Sequence, residues 1–561
     1  MFAPQKIRLA LLAILGLVVA GGNGTNVARG QVSEPAAGAN ASQSQGDLAV
    51  VLERGTLLER QRRWAEALTH YEEALRQHPQ RTDLSERLHV ARRHYDVCRR
   101  YADTTFTAMV DSLRDRAALT IYDEVLIKVN VHYVHEPNWQ DVFQRGTGQL
   151  LVALSEPPFK DKQLAKLSAQ QQVSLQKYVD QLTRDRKVTD RQQAVESVDL
   201  IARALQQYFQ IAPQAVIFEY TAGAAGSLDD YSGFLTGGQM DEVFTQIEGN
   251  FVGLGVELKT EESALLIVNV IENGPAFEGG IRSGDRIVAV DGHTPEAKGI
   301  TPDALADMLR GVEGSQVTVE VQRADGEHKQ LNLTRRRVEV PSVDRVKMLD
   351  EQAGIGYFRI ASFQKTTPRD VDAALWKLHG MGMRSLIVDL RGNPGGLLKA
   401  SVDVADKFVM DGLIVATRGR SPREDFDHRG LVAGTWRVPL VILIDKDSAS
   451  ASEILAGAIQ DHRRGTIVGE RSYGKGSVQG IFPLNSANAG VRLTTAKWFT
   501  PSGQPISGRG VTPDTTVQAS ARPVIPSPGQ EQVAATRPAS QEDEILRAGL
   551  ETARANLSVK P

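Results

Sequence analysis

The sequence predicts a multidomain α/β protein in which a helical N-terminal region precedes a small α+β domain and an α/β core. Its 561 residues are too many for one domain of about 100 to 200 residues. Helical periodicity prevails up to residue 244 and strand-like alternation follows up to residue 338. From residue 354 onwards, strands alternate with helices. The 65 basic and 68 acidic side chains nearly cancel, so the charge gives no reason to expect a nucleic-acid partner.

Residues 1–30 have the layout of a secretory signal, which predicts export to the bacterial periplasm or cell envelope. Lys6 and Arg8 precede an apolar run over residues 9–22, and this run is shorter than the ~20 residues of a spanning helix. The cleavage site, residues 28–30, only approximates the small-x-small pattern. The alternative is therefore an uncleaved segment that anchors the chain in the membrane, which is the only membrane contact the sequence predicts.

The next two stretches differ sharply in composition. Residues 31–46 are rich in Ala, Gly, Ser and Gln, which predicts a flexible linker, whereas residues 47–101 predict a helical segment. That segment resembles a single tetratricopeptide repeat, and an adaptor or partner protein is the expected ligand. The resemblance rests on Gly55, Leu58, Trp64, Ala67, Tyr71, Ala74 and Pro79. An ordinary amphipathic hairpin explains the pattern equally well, because one repeat cannot bury its own apolar face.

Residues 102–244 predict a mainly helical region that ends at LDDYSGFL, and residues 245–338 resemble a PDZ domain. The resemblance lies in the order of GLGVEL, ALLIVNVI, PAFEGGIRSGDRIVAVDG and QVTVEVQR. It implies that the backbone of Gly253, Leu254, Gly255 and Val256 binds a peptide's terminal carboxylate, with a helix from Thr301 as the other wall of the groove. A tight turn before a strand is the alternative meaning of Gly-x-Gly.

Ser450 lies in a turn between a predicted strand, VPLVILID at 438–445, and a predicted helix, ASEILAGAIQDH at 451–462. The positive end of a helix offers unpaired N–H groups that can stabilise an oxyanion. However, Ser450 and Glu453 also form the sequence pattern of a capping box, which would give the serine a structural role. The turn alone favours the cap.

Lys475 follows the strand TIVGE and is flanked by two glycines. A lysine becomes a base only if its pKa falls from the reference value of about 10.4, and burial without a carboxylate partner has that effect. The free energy required to reach a pKa near 7 is roughly 4 to 5 kcal/mol. The alternative is a solvent-exposed lysine in a turn. The GxxxxGK pattern that ends at Lys475 is not a phosphate-binding loop, because Gly476 replaces the Ser or Thr that binds magnesium.

Five blocks of sequence resemble the carboxyl-terminal processing, or tail-specific, serine peptidases in the order the family has them. They are GYFRIASFQ, LIVDLRGNPGG, SASASEILAGAIQDH, VGERSYGKGSVQ and VRLTTAKWFTPSGQPISGRGVTPD. The resemblance runs from about residue 119 to residue 515 and leaves the tetratricopeptide-like segment outside. It implies a catalytic domain over residues 339–519. Residues 520–561 predict a largely disordered tail with one short helix at 543–557.

The resemblance also assigns roles to individual residues. It makes Ser450 the nucleophile, Lys475 the general base and Gln479 the group that orients the lysine. The oxyanion hole would be the N–H of Ala451 together with that of Gly395 or Gly396. Asp461 matches a position that influences activity in some members, and an ordinary charge near a helix end is the alternative. Ser448 and Ser452 compete for the nucleophile's role, but the spacing to Lys475 selects Ser450.

The predicted function is therefore that of an exported serine endopeptidase whose PDZ domain recognises apolar C-terminal tails of protein substrates with free C-termini. A Ser/Lys acyl-enzyme mechanism needs no metal, nucleotide or organic cofactor, and no H-E-x-x-H motif occurs among the 11 histidines. The alternative, from another class, is a catalytically idle periplasmic scaffold that assembles partners through its PDZ domain and its helices. Geometry discriminates between them, because a scaffold could leave Lys475 in solvent.

Overall fold

The computed structural model describes residues 38–260, 264–294, 305–306, 308–323, 325–431, 436–517 and 543–558, with side chains from residue 48. The predicted signal segment and residues 31–37 of the predicted linker lie outside these ranges. In the described part of the chain, no helix combines the length and apolar character needed to cross a membrane. The architecture is the predicted one, with a helical N-terminal region, a small α+β domain and an α/β core.

Three helices open the described chain: α1 (Gly38–Arg60), α2 (Trp64–Gln77) and α3 (Thr82–Ala102). Ala67 and Tyr71 of α2 are fully buried, and a Cβ on Gly55 would lie 2.4 Å from the Tyr71 ring. α3 covers the apolar face that α1 and α2 leave open. Residues 38–46, predicted as linker, are helical instead, because a helix already nucleated by packing propagates at little cost through Ala, Ser and Gln.

A second group of helices forms the core of the N-terminal region. These helices are α4 (Thr104–Ser112), α5 (Asp115–His132), α6 (Trp139–Ala153), α7 (Pro157–Gln163), α8 (Ala169–Thr183), α9 (Arg191–Phe209), α10 (Pro213–Gly226) and α11 (Gly237–Glu248). Apart from Glu219, α10 is mainly apolar on all sides, which is the pattern of a helix enclosed by others. Its residues from Ala215 to Ala225 are buried, so α10 is the central helix of this region.

The α+β domain contains the segments in which the sequence predicted strands. They are β2 (Asn250–Gly253), β3 (Val256–Thr260), β4 (Leu265–Val270), β5 (Arg286–Val290), β6 (Gln316–Gln322), β7 (His328–Thr334) and β8 (Arg336–Glu339), with the short helix α12 (Pro275–Glu278). β3 to β7 form an antiparallel sheet in sequence order, and β2 pairs with β8. The predicted helix from Thr301 lies largely outside the described residues, although Leu305 and Leu309 are buried in the domain's core.

A six-stranded sheet supports the α/β core. Its strands are β9 (Val343–Asp350), β10 (Ile355–Ile360), β11 (Ser385–Asp389), β14 (Leu440–Ile444), β15 (Thr466–Gly469) and β18 (Thr515–Thr516). The order is β18-β15-β14-β11-β10-β9, and only β9 runs antiparallel to its neighbour. Strands buried on both faces require unbroken apolar runs, as LVILI of β14 provides.

Helices cover both faces of this sheet. They are α13 (Thr367–Gly380), α14 (Leu398–Asp406), α15 (Ala451–Asp461) and α16 (Glu544–Ser558). α13 to α15 share one hydrophobic core with one face. α16, the short helix predicted in the tail, covers the other face through Ile545 and Ala553. The rest of the tail beyond residue 517 lies outside the described residues.

A second sheet joins the helical region to the core. It consists of β1 (Gly233–Leu235), β12 (Gly412–Gly419), β13 (Phe426–Gly430), β16 (Ser477–Pro483) and β17 (Gly490–Phe499). β17 pairs with β1, β12 and β16. β1 immediately follows the LDDYS turn, so this pairing places that turn beside the core.

Candidate active site

The turn that carries Ser450 has an uncommon backbone conformation. Ser450 follows β14 and directly precedes α15, with φ 56° and ψ −113°. Residues other than glycine rarely adopt a positive φ, and holding one there costs about 1 to 3 kcal/mol. The turn directs the Ser450 side chain into a cavity of about 580 Å³ that Lys475 also lines.

Glu453 connects the serine to the lysine. Its fully buried carboxylate accepts the N–H of Ser450 at 2.7 Å and that of Lys475 at 2.9 Å. It also accepts the N–H of Gly474 and the hydroxyl of Ser472, both at 2.6 Å. Burial raises the pKa of Glu453, and these four hydrogen bonds oppose that rise. The sequence suggested only a capping role for Glu453, and no sequence signal linked it to the lysine segment.

The capping box that the sequence predicted for Ser450 and Glu453 is present at the start of α15. The N–H of Glu453 donates to the Ser450 carbonyl at 2.9 Å and faces the Ser450 side chain, while the Glu453 carboxylate accepts the N–H of Ser450 at 2.7 Å. The two roles are compatible, because a hydroxyl oxygen that faces the backbone N–H of a helix start keeps its own proton.

Lys475 is buried, with 2% of its surface exposed. Burial, together with the positive charge of Arg492, lowers the pKa of Lys475 to about 7, while Glu453 and Asp229 oppose the shift. The ammonium form is disfavoured because the site is dry and no ion pair compensates it among the described residues. The side chain thus has the protonation behaviour of a base near neutral pH.

The Lys475 amine contacts an aromatic ring. Its Nζ lies 4.7 Å from the centroid of the Tyr231 ring, the geometry of a cation–π contact. The hydrogen bonds of the described residues include none between Lys475 Nζ and Ser450 Oγ. Tyr231 belongs to the LDDYSGFL segment, at which the predicted helical region ends. No residue pattern within that segment indicates a contact with Lys475.

Gln479, the predicted orienting group, lies on β16 and lines the same cavity. Its side-chain amide donates to Ser477 Oγ at 2.9 Å. The structure therefore places Gln479 on the wall of the cavity that the serine and the lysine also line, without a hydrogen bond from Gln479 to Lys475 in the described region.

The two glycines predicted for the oxyanion hole differ in whether their N–H groups already donate a hydrogen bond. The N–H of Gly395 donates to Asn393 Oδ1 at 2.8 Å, whereas no hydrogen bond among the described residues engages the N–H of Gly396 or Ala451. Gly395 has φ 103°, and a Cβ there would lie 2.8 Å from the Ser450 Cβ. Gly395 thus provides the space beside the serine, and Gly396 with Ala451 provides the available donors.

The remaining predicted residues have structural partners. Ser448 Oγ donates to the Leu390 carbonyl at 2.9 Å and Ser452 Oγ to the Asn393 carbonyl at 3.0 Å, both in the interior. Asp461 is exposed and accepts the N–H of Ser502 at 2.9 Å. It lies at the far end of α15 from Ser450, a separation of about 15 Å at the rise of an α-helix. Asp461 therefore anchors a loop outside the cavity.

The walls of the cavity are mainly apolar. Next to Ser450 it is lined by Phe363, Leu397, Ile454, Val478 and Trp498. Such a surface can receive an apolar side chain and exclude water from the serine and the lysine. The four-residue loop predicted to bind a carboxylate lies in the α+β domain, where Leu254 is buried and Gly255 has φ 79°.

Comparison with known proteins identifies two domains in this chain. Residues 354–517 match peptidase family S41, and residues 266–323 match the PDZ domain. The carboxy-terminal-processing protease of Bartonella bacilliformis is 38% identical over 327 residues, which cover 57% of this chain and 74% of the relative. The carboxyl-terminal-processing protease of Synechocystis sp. is 37% identical over 281 residues, covering 49% of this chain and 64% of the relative.

Among solved structures, a photosystem II D1 C-terminal processing protease is 25% identical, and the match covers 71% of this chain and 92% of that chain with a TM-score of 0.38. The sequence relatives, taken with the peptidase and PDZ matches, decide the family. This chain belongs to the carboxy-terminal-processing serine proteases of peptidase family S41 and carries their PDZ domain.

Proposed function

We propose that the protein is an endopeptidase that uses Ser450 as nucleophile and Lys475 as general base on proteins whose apolar C-terminal tails its PDZ domain binds. The observation that carries this proposal is the buried Lys475, with a pKa lowered to about 7, in the same cavity as Ser450. A base works best when its pKa lies near the working pH.

In the proposed reaction, the neutral Lys475 amine accepts the proton of Ser450 while Oγ attacks the scissile carbonyl carbon. The N–H groups of Ala451 and Gly396 stabilise the oxyanion. Collapse of this intermediate breaks the C–N bond, and Lys475 passes its proton to the leaving amine. A water molecule, deprotonated by the same lysine, then hydrolyses the ester to release the acid and regenerate the Ser450 hydroxyl.

This scheme requires one movement. Lys475 Nζ lies against the Tyr231 ring, and a base must come within about 3 Å of the hydroxyl it deprotonates. Rotation about the four side-chain bonds of the lysine allows this movement without a change in the backbone. The arrangement in the structure therefore corresponds to a resting state of the proposed enzyme.

Tail recognition is the second part of the proposal. An extended C-terminal tail would add a strand beside β3, with its carboxylate on the backbone of residues 253–256. The chain upstream of the tail would then enter the apolar cavity beside Ser450. The signal-like residues 1–30 support export to the periplasm or cell envelope, where the substrates would be other exported proteins.

A non-catalytic scaffold is the alternative stated above, and the burial of Lys475 argues against it. Holding an uncompensated lysine in a dry site costs roughly 4 kcal/mol. A scaffold gains nothing from that cost, whereas a base requires it.

Cleavage of an unstructured reporter that ends in small apolar residues tests the proposal. The parent, Ser450→Ala and Lys475→Ala are compared, and the reporter's tail is changed to charged residues in a parallel series. We expect cleavage to disappear in both variants and to weaken with the charged tail. Cleavage by Ser450→Ala would contradict the assignment of the nucleophile. Equal cleavage of both tails would contradict tail recognition.

A further inference from the structure

The N-terminal segment, residues 48–102 of α1 to α3, packs onto the rest of the chain through arginines. Three of these arginines anchor it to the helical region. They are Arg62, which pairs with Glu156 at 2.9 Å, Arg99, which pairs with Glu242 at 2.8 Å, and Arg100, which pairs with Glu219 at 2.6 Å. The last pair is buried, with 6% and 0% of the two side chains exposed. The segment is therefore a docked part of the protease.

Two further arginines of the segment contact the loops that lead to the proposed catalytic residues and to Tyr231. Arg76 pairs with Asp447 at 3.0 Å, and its guanidinium lies 5.9 Å from the centroid of the Tyr473 ring. Arg92 pairs with Asp230 at 2.7 Å, and both side chains are largely buried. Asp447 lies shortly before Ser450, Tyr473 shortly before Lys475, and Asp230 precedes the tyrosine that covers the lysine.

The backbone around Tyr231 is held firmly. Asp229 accepts the N–H groups of Tyr231 and Ser232, both at 2.8 Å, and Arg492 donates to the Tyr231 carbonyl at 2.7 Å. The Tyr231 hydroxyl is buried and has no hydrogen-bond partner in the described region. The position of the ring is therefore determined by its backbone and by its contact with Lys475, and the Arg92–Asp230 pair ties that backbone to α3.

We propose, on the basis of the function proposed above, that the N-terminal segment restrains the protease by holding the Tyr231 ring against the Lys475 amine and away from Ser450. The Arg92–Asp230 pair links the segment to the ring, with His89 Nδ1 of the same helix 3.8 Å from the Asp230 carboxylate, and Tyr231 is a positioning residue. This assigns an intramolecular role to a segment that the family resemblance leaves out.

The electrostatic surroundings of Lys475 favour such a restraint. Glu453 and Asp229 face the lysine with negative charge, and Arg492 faces it with positive charge. The carboxylate of Glu453 is already occupied by four donors. The Tyr231 ring is the group that the amine contacts directly, at 4.7 Å from its centroid, and removal of the ring leaves the amine free to approach Ser450.

The rate at which a fluorophosphonate probe labels the serine tests the proposal in the full-length chain, with labelling at Ser450 located by mass spectrometry. The serine oxygen displaces fluoride from phosphorus, so the readout needs neither a peptide substrate nor the PDZ domain. Tyr231→Leu and Arg92→Ala are compared with the parent. Arg87→Ala is the matched control, because Arg87 lies on the same helix and pairs with Glu59 at 2.9 Å inside the segment.

We expect Tyr231→Leu and Arg92→Ala to label about three to thirty times faster than the parent, as loss of a buried cation–ring contact predicts. Arg87→Ala should label at the parent's rate. The gain should be larger at about pH 7 than at about pH 8.5, because the ring attracts only the ammonium form. If Tyr231 and Arg92 have a purely structural role, their replacement should lower both the labelling rate and the melting temperature.

Slower or unchanged labelling in both variants would overturn the restraint. If Tyr231→Leu is too unstable to measure, Arg92→Ala alone decides the question. Failure of the underlying function is recognised separately, because the parent would then carry no label at Ser450, or Lys475→Ala would label at Ser450 as fast as the parent.

Discussion

The serine side and the lysine side of the site are held in different ways. Around Ser450, the Asn393 carbonyl accepts the Ala449 N–H and the Ser452 hydroxyl, both at 3.0 Å, and the serine itself is fixed at a positive φ. On the other side, only the backbone of Lys475 is fixed, by Glu453 at 2.9 Å and by the Trp498 indole at 2.9 Å. Its amine contacts the face of a ring.

This difference indicates where control can act. Directional hydrogen bonds fix the backbone that carries the proposed nucleophile and the proposed oxyanion donors, which is the preorganisation that catalysis needs. A cation–π contact fixes the base less strictly, and a flexible four-carbon stem lets the amine move. Changes in the position of the Lys475 amine, more than changes in the position of Ser450, should therefore turn the activity on or off.

Loss of Glu453, which joins the two sides, should have the largest effect. Glu453→Ala leaves three buried N–H groups and one hydroxyl without their acceptor, at about 1 to 3 kcal/mol each. We expect unfolding at lower denaturant concentration and at least about a hundredfold loss of peptide cleavage, because both catalytic segments shift. Ser472→Ala removes one of the four donors and should cost far less. Near-parent cleavage by Glu453→Ala would show that the two sides are positioned independently.

Replacement of the lysine should stabilise the fold while abolishing cleavage. The pKa of Lys475 is lowered from 10.5 to about 7 in the folded protein. Below pH 7 the folded state therefore carries a destabilisation of roughly 4 kcal/mol, which disappears as the pH rises towards the unfolded-state pKa. We expect Lys475→Met to be about 3 kcal/mol more stable at neutral pH, measured by denaturant unfolding.

Denaturant unfolding of the parent and of Lys475→Met at several pH values tests the same prediction more sharply. The difference in free energy of unfolding should shrink between pH 7 and pH 10.5, the range set by the two pKa values of Lys475. A less stable Lys475→Met would mean that the lysine is not held in a dry, uncompensated site.

A side chain at Gly396 should disturb the serine side alone. A Cβ there would lie 2.1 Å from the Phe363 carbonyl oxygen, at φ 140°. We expect Gly396→Ala to displace one oxyanion donor and lower kcat by about tenfold or more. Gly392→Ala is the control, since at φ 67° it meets no atom within 4 Å. It should cost about 1 kcal/mol in stability and leave cleavage intact. Equal losses of kcat in Gly396→Ala and Gly392→Ala would mean that backbone strain, and not the displaced donor, lowers kcat.

Asp461 should give the smallest effect. Asp461→Asn weakens one exposed hydrogen bond to the Ser502 N–H, far from the cavity. We expect a change in stability below about 1 kcal/mol and cleavage within about twofold of the parent. A large loss of kcat without loss of stability would mean that the far end of α15 contributes to the reaction.

Sequence patterns predicted the parts of the molecule that local rules determine. The β-branched run before Ser450 and the periodic residues after it predicted the strand, the turn and the helix. These features depend on short stretches of chain, for which periodicity and turn chemistry are informative.

Long-range contacts were beyond the reach of those patterns. Tyr231 and Lys475 are far apart in sequence, and nothing in LDDYSGFL indicates that its ring covers the lysine. The docking of α16 on the central sheet and the Arg92–Asp230 pair likewise arise only from the packing of distant elements. The length of α1 was underestimated because residues 38–46 lack apolar periodicity, although they extend an existing helix.

The pH dependence of kcat/KM for peptide cleavage tests the central claim most directly. The claim is that a neutral Lys475 activates Ser450. Measured on the full-length chain between about pH 5 and pH 9, kcat/KM should rise on the acid side with a midpoint near the Lys475 pKa of about 7. A rate that stays constant across this range, or one that rises only as the pH approaches the ordinary pKa of a lysine, would contradict it.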